Sequence, residues 1–303
     1  MSLSVVYQTC REEPKIEWFL DSLRRELGDF KNVKLIIVDF YRNQRPLPVE
    51  KLPWETVWIE PMPNHYQGPH RLTKEDWFAA ANSRNSGLCH ASDGHVVFVD
   101  DLSVLMPGWF RAVQDMMKAR YIACGAYHKV KELVVENGNV KSYKPGGLDH
   151  RFGYGNDSGP VDCRGDWLYG CSCGGPTDVF LSVGGFPSYL ADAISSEDYC
   201  LGIVLNNNGH QLKYDRRMMT FESEELHSVG KVMIRRDKGP IGTSGDKSHK
   251  LLERVRHLKH FENYYEGGIH QLRLDTLAGK PFPPCRMPIF DWYDQEPIAN
   301  FTP

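Results

Sequence analysis

The chain has 303 residues, of which 41% are hydrophobic and 25% charged, with a formal net charge of −3. That length fits one large α/β domain with an extra segment, or two small domains, with the composition of an ordinary soluble protein. The charge balance is not strongly basic overall, and no apolar run approaches the roughly 18 residues of a transmembrane helix, so no membrane span is expected.

The N-terminus moves directly into a strand at residues 3–9, without the basic region, apolar core and small-residue site of a secretory signal, so action in the cytoplasm is expected. Residues 17–27 form an amphipathic pattern, with Phe19, Leu20, Leu23 and Leu27 at helical spacing. Residues 33–39 predict a second strand that ends in Asp39, and residues 56–60 a short third strand. Residues 79–91 read as a helix of small residues, whose alanines allow close approach to a sheet. Asp93-Gly94 marks a turn.

The run Val96-Val97-Phe98-Val99 then ends abruptly in Asp100-Asp101. A continuous apolar run is the mark of a buried parallel strand, and ligands in open α/β sheets sit beyond the carboxyl ends of such strands. Two adjacent carboxylates repel each other and call for a positive partner. A divalent metal holding a diphosphate meets that need; capping of the next turn is the plainer alternative.

Residues 195–209 predict another helix. Ser195 or Ser196 stands at its N-cap, Glu197 and Asp198 in its first turn, and Gly209 at its end. By themselves the two acids could simply compensate the helix dipole.

The order of these features resembles the GT-A-fold glycosyltransferases, specifically the large inverting family 2. Those enzymes carry an A-R-N-x-G-like helix, here Ser83-Arg84-Asn85-Ser86-Gly87, before a strand that ends in a D-x-D-like motif. The stretch from Gly174-Gly175-Pro176 to Gly184-Gly185-Phe186 resembles the acceptor-side segment of the family. The resemblance covers residues 3–250. It implies a Rossmann-like, mostly parallel sheet flanked by helices, with a nucleotide-sugar half at 1–101 and an acceptor half at 102–250. Residues 251–303 would add a C-terminal helix and an extended tail.

The resemblance also implies roles. Asp39, with Thr9 and Arg11 after the first strand, would hold the nucleoside. Asp100 and Asp101 would hold Mn²⁺ or Mg²⁺ against the diphosphate. Arg84 would reach the donor or brace the acidic strand end. Asp198, with Glu197 as alternate, would be the general base. The family's third acid is replaced here by Leu102, which moves the ligand role to Asp101 or Asp100. His227 is a candidate third ligand and His249 its rival, since imidazole binds Mn²⁺ acceptably. The implied reaction moves a sugar from a nucleotide-diphosphate donor, UDP by family habit, to an acceptor hydroxyl with inversion. A nucleotidyltransferase would usually open with a glycine-rich basic loop, whereas the first turn here is Tyr7-Gln8-Thr9-Cys10-Arg11. A non-catalytic sugar-binding relative is the other alternative, supported only by Leu102.

Of the eight cysteines only Cys171-x-Cys173 forms a close pair, so no zinc site is expected and the thiols should be reduced. Trp167 and Tyr169 lie in a Gly- and aromatic-rich stretch and could stack on a sugar or fill the core. Residues 231–260 carry nine Lys or Arg against three acids. The glycine-rich part at 235–245 is placed to fold over a diphosphate, to stay solvated, or to meet a polyanionic acceptor such as nucleic acid. A helix is expected from Leu251 towards Tyr265. After it, a tail punctuated by Pro281, Pro283, Pro284 and Pro288 should lie on the domain or a partner.

Overall fold

The computed structural model describes residues 1–46, 52–71, 76–77, 79–192, 196–228, 251–262, 265, 267–285, 290–291 and 296–297. Its centre is a ten-stranded mixed sheet. Strands β1 (Leu3–Thr9), β2 (Val33–Asp39), β3 (Glu55–Ile59) and β4 (His95–Asp100) pair in parallel in the order β3-β2-β1-β4. Every residue of β1 is buried, as are Val96 to Val99 of β4, so both faces of these strands are covered. This is why their sequences read as continuous apolar runs.

Beyond β4 the pairing changes. β9 (Ser172–Pro176) runs antiparallel to β4 and to β6 (Ile122–Glu136), and β6 is parallel to β10 (Leu212–Ser223). β5 (Ser103–Leu105), β7 (Asn139–Leu148) and β8 (Val161–Asp162) join antiparallel at the margins. The expected α/β sheet flanked by helices is therefore present, but it is mixed rather than mostly parallel: within this sheet four pairs are parallel and five antiparallel, in part because hairpin-like returns, such as Asn137-Gly138 between β6 and β7, replace helical crossovers beyond β4.

Two cores cover the two faces. Helices α1 (Ile16–Leu27) and α3 (Trp109–Ala119) pack on one, where Phe19, Leu23, Trp109 and Val113 are fully buried. On the other lie α2 (Ala80–His90), α4 (Thr177–Ser182), α5 (Ser188–Ala191) and α6 (Glu197–Asn207), around Phe98, Phe180 and Phe186. The Arg-Asn-x-Gly run on α2 has a physical reason at each fixed position. A Cβ on Gly87 would meet Val6 Cγ1 at 2.3 Å, so the glycine lets α2 lie against β1. Asn85 exchanges two hydrogen bonds of 2.8 Å with the backbone of Phe186, which ties the Gly184-Gly185-Phe186 turn to α2. Arg84 serves the site.

Towards the C-terminus, α7 (Glu224–Ser228) follows β10 directly. The helix expected to run from Leu251 towards Tyr265 is shorter: residues 251–255 are helical, and the Leu258 amide closes a turn on Val255 O at 3.0 Å. Tyr265 instead donates from its hydroxyl to Pro63 O, anchoring the chain to the domain. A further helix, α8 (Gly268–Leu277), packs on α2, and Arg273 donates to Ala91 O at 2.9 Å. The proline-rich tail then lies on the domain as far as Cys285: the Phe282 ring meets the edge of His90 with centroids 5.6 Å apart. No helix among the described residues is long and apolar enough to cross a membrane.

Candidate active site

A cavity of about 380 Å³ opens beyond the carboxyl ends of β1 and β4. The sheet register creates it: Gln8 and Asp100 are direct partners across β1 and β4, so the loops after both strands meet at one point. Gln8 Nε2 donates to Asp100 Oδ1 at 2.9 Å, and Thr9 Oγ1 donates to Asp101 Oδ2 at 2.7 Å. The turn after the acids is tight. Leu102 is buried and held at φ 60°, a left-handed conformation unusual for a leucine, so the position of the family's third acid faces the interior.

Each acid has its own guanidinium. Arg11 Nε lies 3.0 Å from Asp101 Oδ1 and Arg84 Nη2 lies 2.7 Å from Asp100 Oδ1. Arg84 is 2% exposed and donates also to Glu197 Oε1 at the start of α6. A Cβ on Gly170 would stand 1.9 Å from Arg84 Nη2, so only glycine leaves room for this bridge. Burial raises the Asp101 carboxyl, an effect opposed by the Arg11 charge and the hydrogen bond from Thr9.

Asp198 follows Glu197 in the first turn of α6. Its Oδ2 accepts from the Gly170 amide and its Oδ1 from the Tyr199 amide, both at 2.8 Å. Burial first, and then the neighbouring Glu197 charge, push its carboxyl up to about 7, while Arg84 and the two amides hold it down. A carboxylate balanced near neutrality suits proton transfer at physiological pH.

The structure thus brings together most of the sequence-predicted site. Thr9, Arg11, Arg84, Asp100 and Asp101 line the cavity, and so do Glu197, Asp198 and His227. Asp39 does not. It is 2% exposed, accepts from Arg45 and the Tyr41 amide at 2.9 Å, and is raised by burial. His249, the N-cap candidate Ser195 and the basic loop at 235–245 lie outside the described residues. Ser196 occupies the N-cap of α6 but makes no side-chain cap bond, and Asn208 rather than Gly209 ends the helix.

The chemistry of the donor set suits Mg²⁺ or Mn²⁺: hard carboxylate oxygens with one imidazole. Asp101 and His227 also converge on one cationic centre, the Arg11 guanidinium, whose Nη2 is 3.3 Å from His227 Nδ1. Among the described residues no three His, Cys, Asp or Glu side chains are grouped to hold a metal ion by themselves, so phosphate oxygens would have to complete the shell.

Among solved structures the chain is similar to S. aureus TarS, a GT-A-like glycosyltransferase, at 13% identity and a TM-score of 0.50, over 84% of this chain and 39% of that one. It also resembles TarS 1-349 alone (16% identity, TM-score 0.48) and in complex with UDP (15%, 0.47), each over 74% of this chain and 60% of that one. The chain therefore shares the fold of TarS. It spans less than two thirds of the length of the solved chains it matches. No family model and no curated protein sequence matches it.

Several lining residues have no signal in the local sequence reading. Glu222, at the end of β10, is 5% exposed, and its Oε1 has no hydrogen-bond partner among the described residues. Burial, then the Asp100 charge, push its carboxyl up to about 8. Its register partner on β6 is Lys129, which also faces the cavity. Tyr127 and Tyr199 are likewise new, and with the sequence-predicted Tyr169 they form an aromatic wall, the Tyr169 and Tyr199 centroids 4.9 Å apart. The Arg151 guanidinium sits 3.7 Å over the Tyr169 ring, so that face is already occupied. Trp167 does not line the cavity; it packs edge-on to Tyr214 at 5.6 Å. None of the eight cysteines is in a disulfide.

Proposed function

We propose that the chain is a glycosyltransferase that moves a sugar from a nucleotide-diphosphate donor to an acceptor hydroxyl with inversion at the anomeric carbon. The observation that carries this reading is one cavity lined by two acid pairs. Asp100-Asp101 stand at the end of β4, Glu197-Asp198 at the start of α6, and Arg84 joins the two. UDP is the carrier the family resemblance implies.

The roles follow from position. Asp100 and Asp101 would hold a Mn²⁺ or Mg²⁺ ion, which when bound would neutralise charge that grows on the leaving diphosphate. Thr9 and Arg11 fix Asp101 and border the nucleotide. Asp198 takes the proton of the acceptor hydroxyl as that oxygen attacks. The amides of Gly170 and Tyr199 hold its carboxylate in place. The acceptor is a glycan or another hydroxyl-bearing molecule. Asp39, enclosed by Arg45 and Trp58, meets the nucleoside only if Arg45 moves aside.

The test is release of free nucleoside diphosphate from a panel of sugar nucleotides with Mn²⁺, with water as the default acceptor. Release of UDP from at least one UDP-sugar is expected. Release of pyrophosphate from a nucleoside triphosphate, with no turnover of any sugar nucleotide, would instead assign a nucleotidyltransferase.

A further inference from the structure

Asp101 and His227, two candidate ligands of one divalent ion, are already joined by a cation. Arg11 Nε is 3.0 Å from Asp101 Oδ1 and Arg11 Nη2 is 3.3 Å from His227 Nδ1. A third contact runs from Arg11 Nη1 to Leu226 O at 3.2 Å. A guanidinium can only donate, so Nδ1 meets it with its lone pair, the same electron pair a metal ion would take. Thr9 engages the second oxygen of Asp101 at 2.7 Å. Arg11 is 8% exposed, so this is a packed position and not a surface ion pair. Guanidinium and metal therefore compete for the same two donors.

We propose that Arg11 is a built-in stand-in for the divalent ion. It occupies Asp101 and His227 in the donor-free protein and passes to the diphosphate when nucleotide and metal enter together. The inference rests on the proposed nucleotide-sugar reading. Its physical basis is charge balance. A metal entering alone would face Arg11 with no new anion to separate the two cations. A diphosphate supplies that anion, and its oxygens match the planar fork of arginine. Arg11 thus makes metal binding conditional on the donor, and by linkage the coupling is reciprocal.

The test is Mn²⁺ titration of the full chain, read from the electron paramagnetic resonance signal of free Mn²⁺, with and without UDP. Wild type should bind Mn²⁺ about tenfold more weakly without UDP than with it, a usual size for coupling between sites. Arg11→Gln should bind Mn²⁺ alone about tenfold more tightly than wild type, and the UDP dependence should shrink. Arg11→Lys keeps the charge but loses the fork that reaches both partners, so it should show a smaller rise in the same direction. It decides the matter alone if Arg11→Gln does not fold. Unchanged Mn²⁺ affinity in the folded variants overturns the inference while leaving the glycosyltransferase reading intact. A wild-type protein that binds no UDP under any condition removes that reading, and this inference with it.

Discussion

Arg84 Nη2 and Asp100 Oδ1 are 2.7 Å apart, and the other arm of the same buried guanidinium holds Glu197. One side chain thereby fixes the distance between the end of β4 and the start of α6, the two walls of the cavity. Lysine lacks the planar fork whose two arms reach the two carboxylates, so Arg84→Lys leaves one acceptor unmet. A stability loss of about 1–3 kcal/mol is expected in urea unfolding. Unchanged stability would show that the two walls are positioned without this bridge.

Asp198 should set the pH dependence of turnover. It must be ionised to accept a proton, and its carboxyl is raised to about 7. Activity should therefore climb with pH through that value and level off above it. Asp198→Asn should lower kcat by about 10²–10⁴-fold while UDP affinity barely changes. If Glu197→Gln is inactive and Asp198→Asn retains activity, the two roles are exchanged.

The parts of the site that could be read from the sequence are those where one short segment states the whole pattern. An apolar strand that ends in Asp100-Asp101 and a helix that begins with Glu197-Asp198 each carry their own signal. Arg84 and Gly87 carry theirs through fixed spacing on α2. Glu222 was hidden because Phe221-Glu222-Ser223 runs on into Glu224-Glu225 and reads as a solvated acidic turn. Only the register of β10 against β6 and β5 turns Glu222 into the cavity. Asp39 is the converse case: its local pattern matches that of Asp100, but Arg45, six residues on, folds back over it. Asn137-Gly138, between β6 and β7, is a local hairpin signal of the same legible kind.

Glu222 offers a test in stability. Its folded value, about 8, lies above its ordinary one, so the folded state binds the proton more tightly than the unfolded state. Stability from this group is fully present below the ordinary glutamate range and is lost as pH rises through about 8. Glu222→Gln removes the titration. Thermal melts should show the variant gaining on wild type between the ordinary glutamate value of 4.5 and about 8, and holding level above it. Parallel pH profiles for the two proteins would contradict the burial assigned to Glu222.

His95 works in the acid direction. It is 4% exposed, and neither ring nitrogen has a hydrogen-bond partner among the described residues. Burial lowers its pKa, as it lowers that of His90 to about 4. The unfolded state then binds the proton first. The stability these groups contribute is present above the ordinary histidine value of about 6.5 and is lost as pH falls below it. His95→Leu should be neutral or stabilising at pH 7 and should flatten the decline in melting temperature towards pH 5. A steeper decline in the variant would contradict the assignment.

On the proposed reading, the cavity between β1, β4 and α6 binds a nucleoside diphosphate through Asp100 and Asp101. Calorimetric titration of UDP with Mn²⁺ into wild type and into the folded Asp100→Asn, Asp101→Asn double variant tests it most directly. Saturable binding to wild type that EDTA abolishes and the double variant lacks is the predicted result. Equal UDP affinity in both proteins would contradict it.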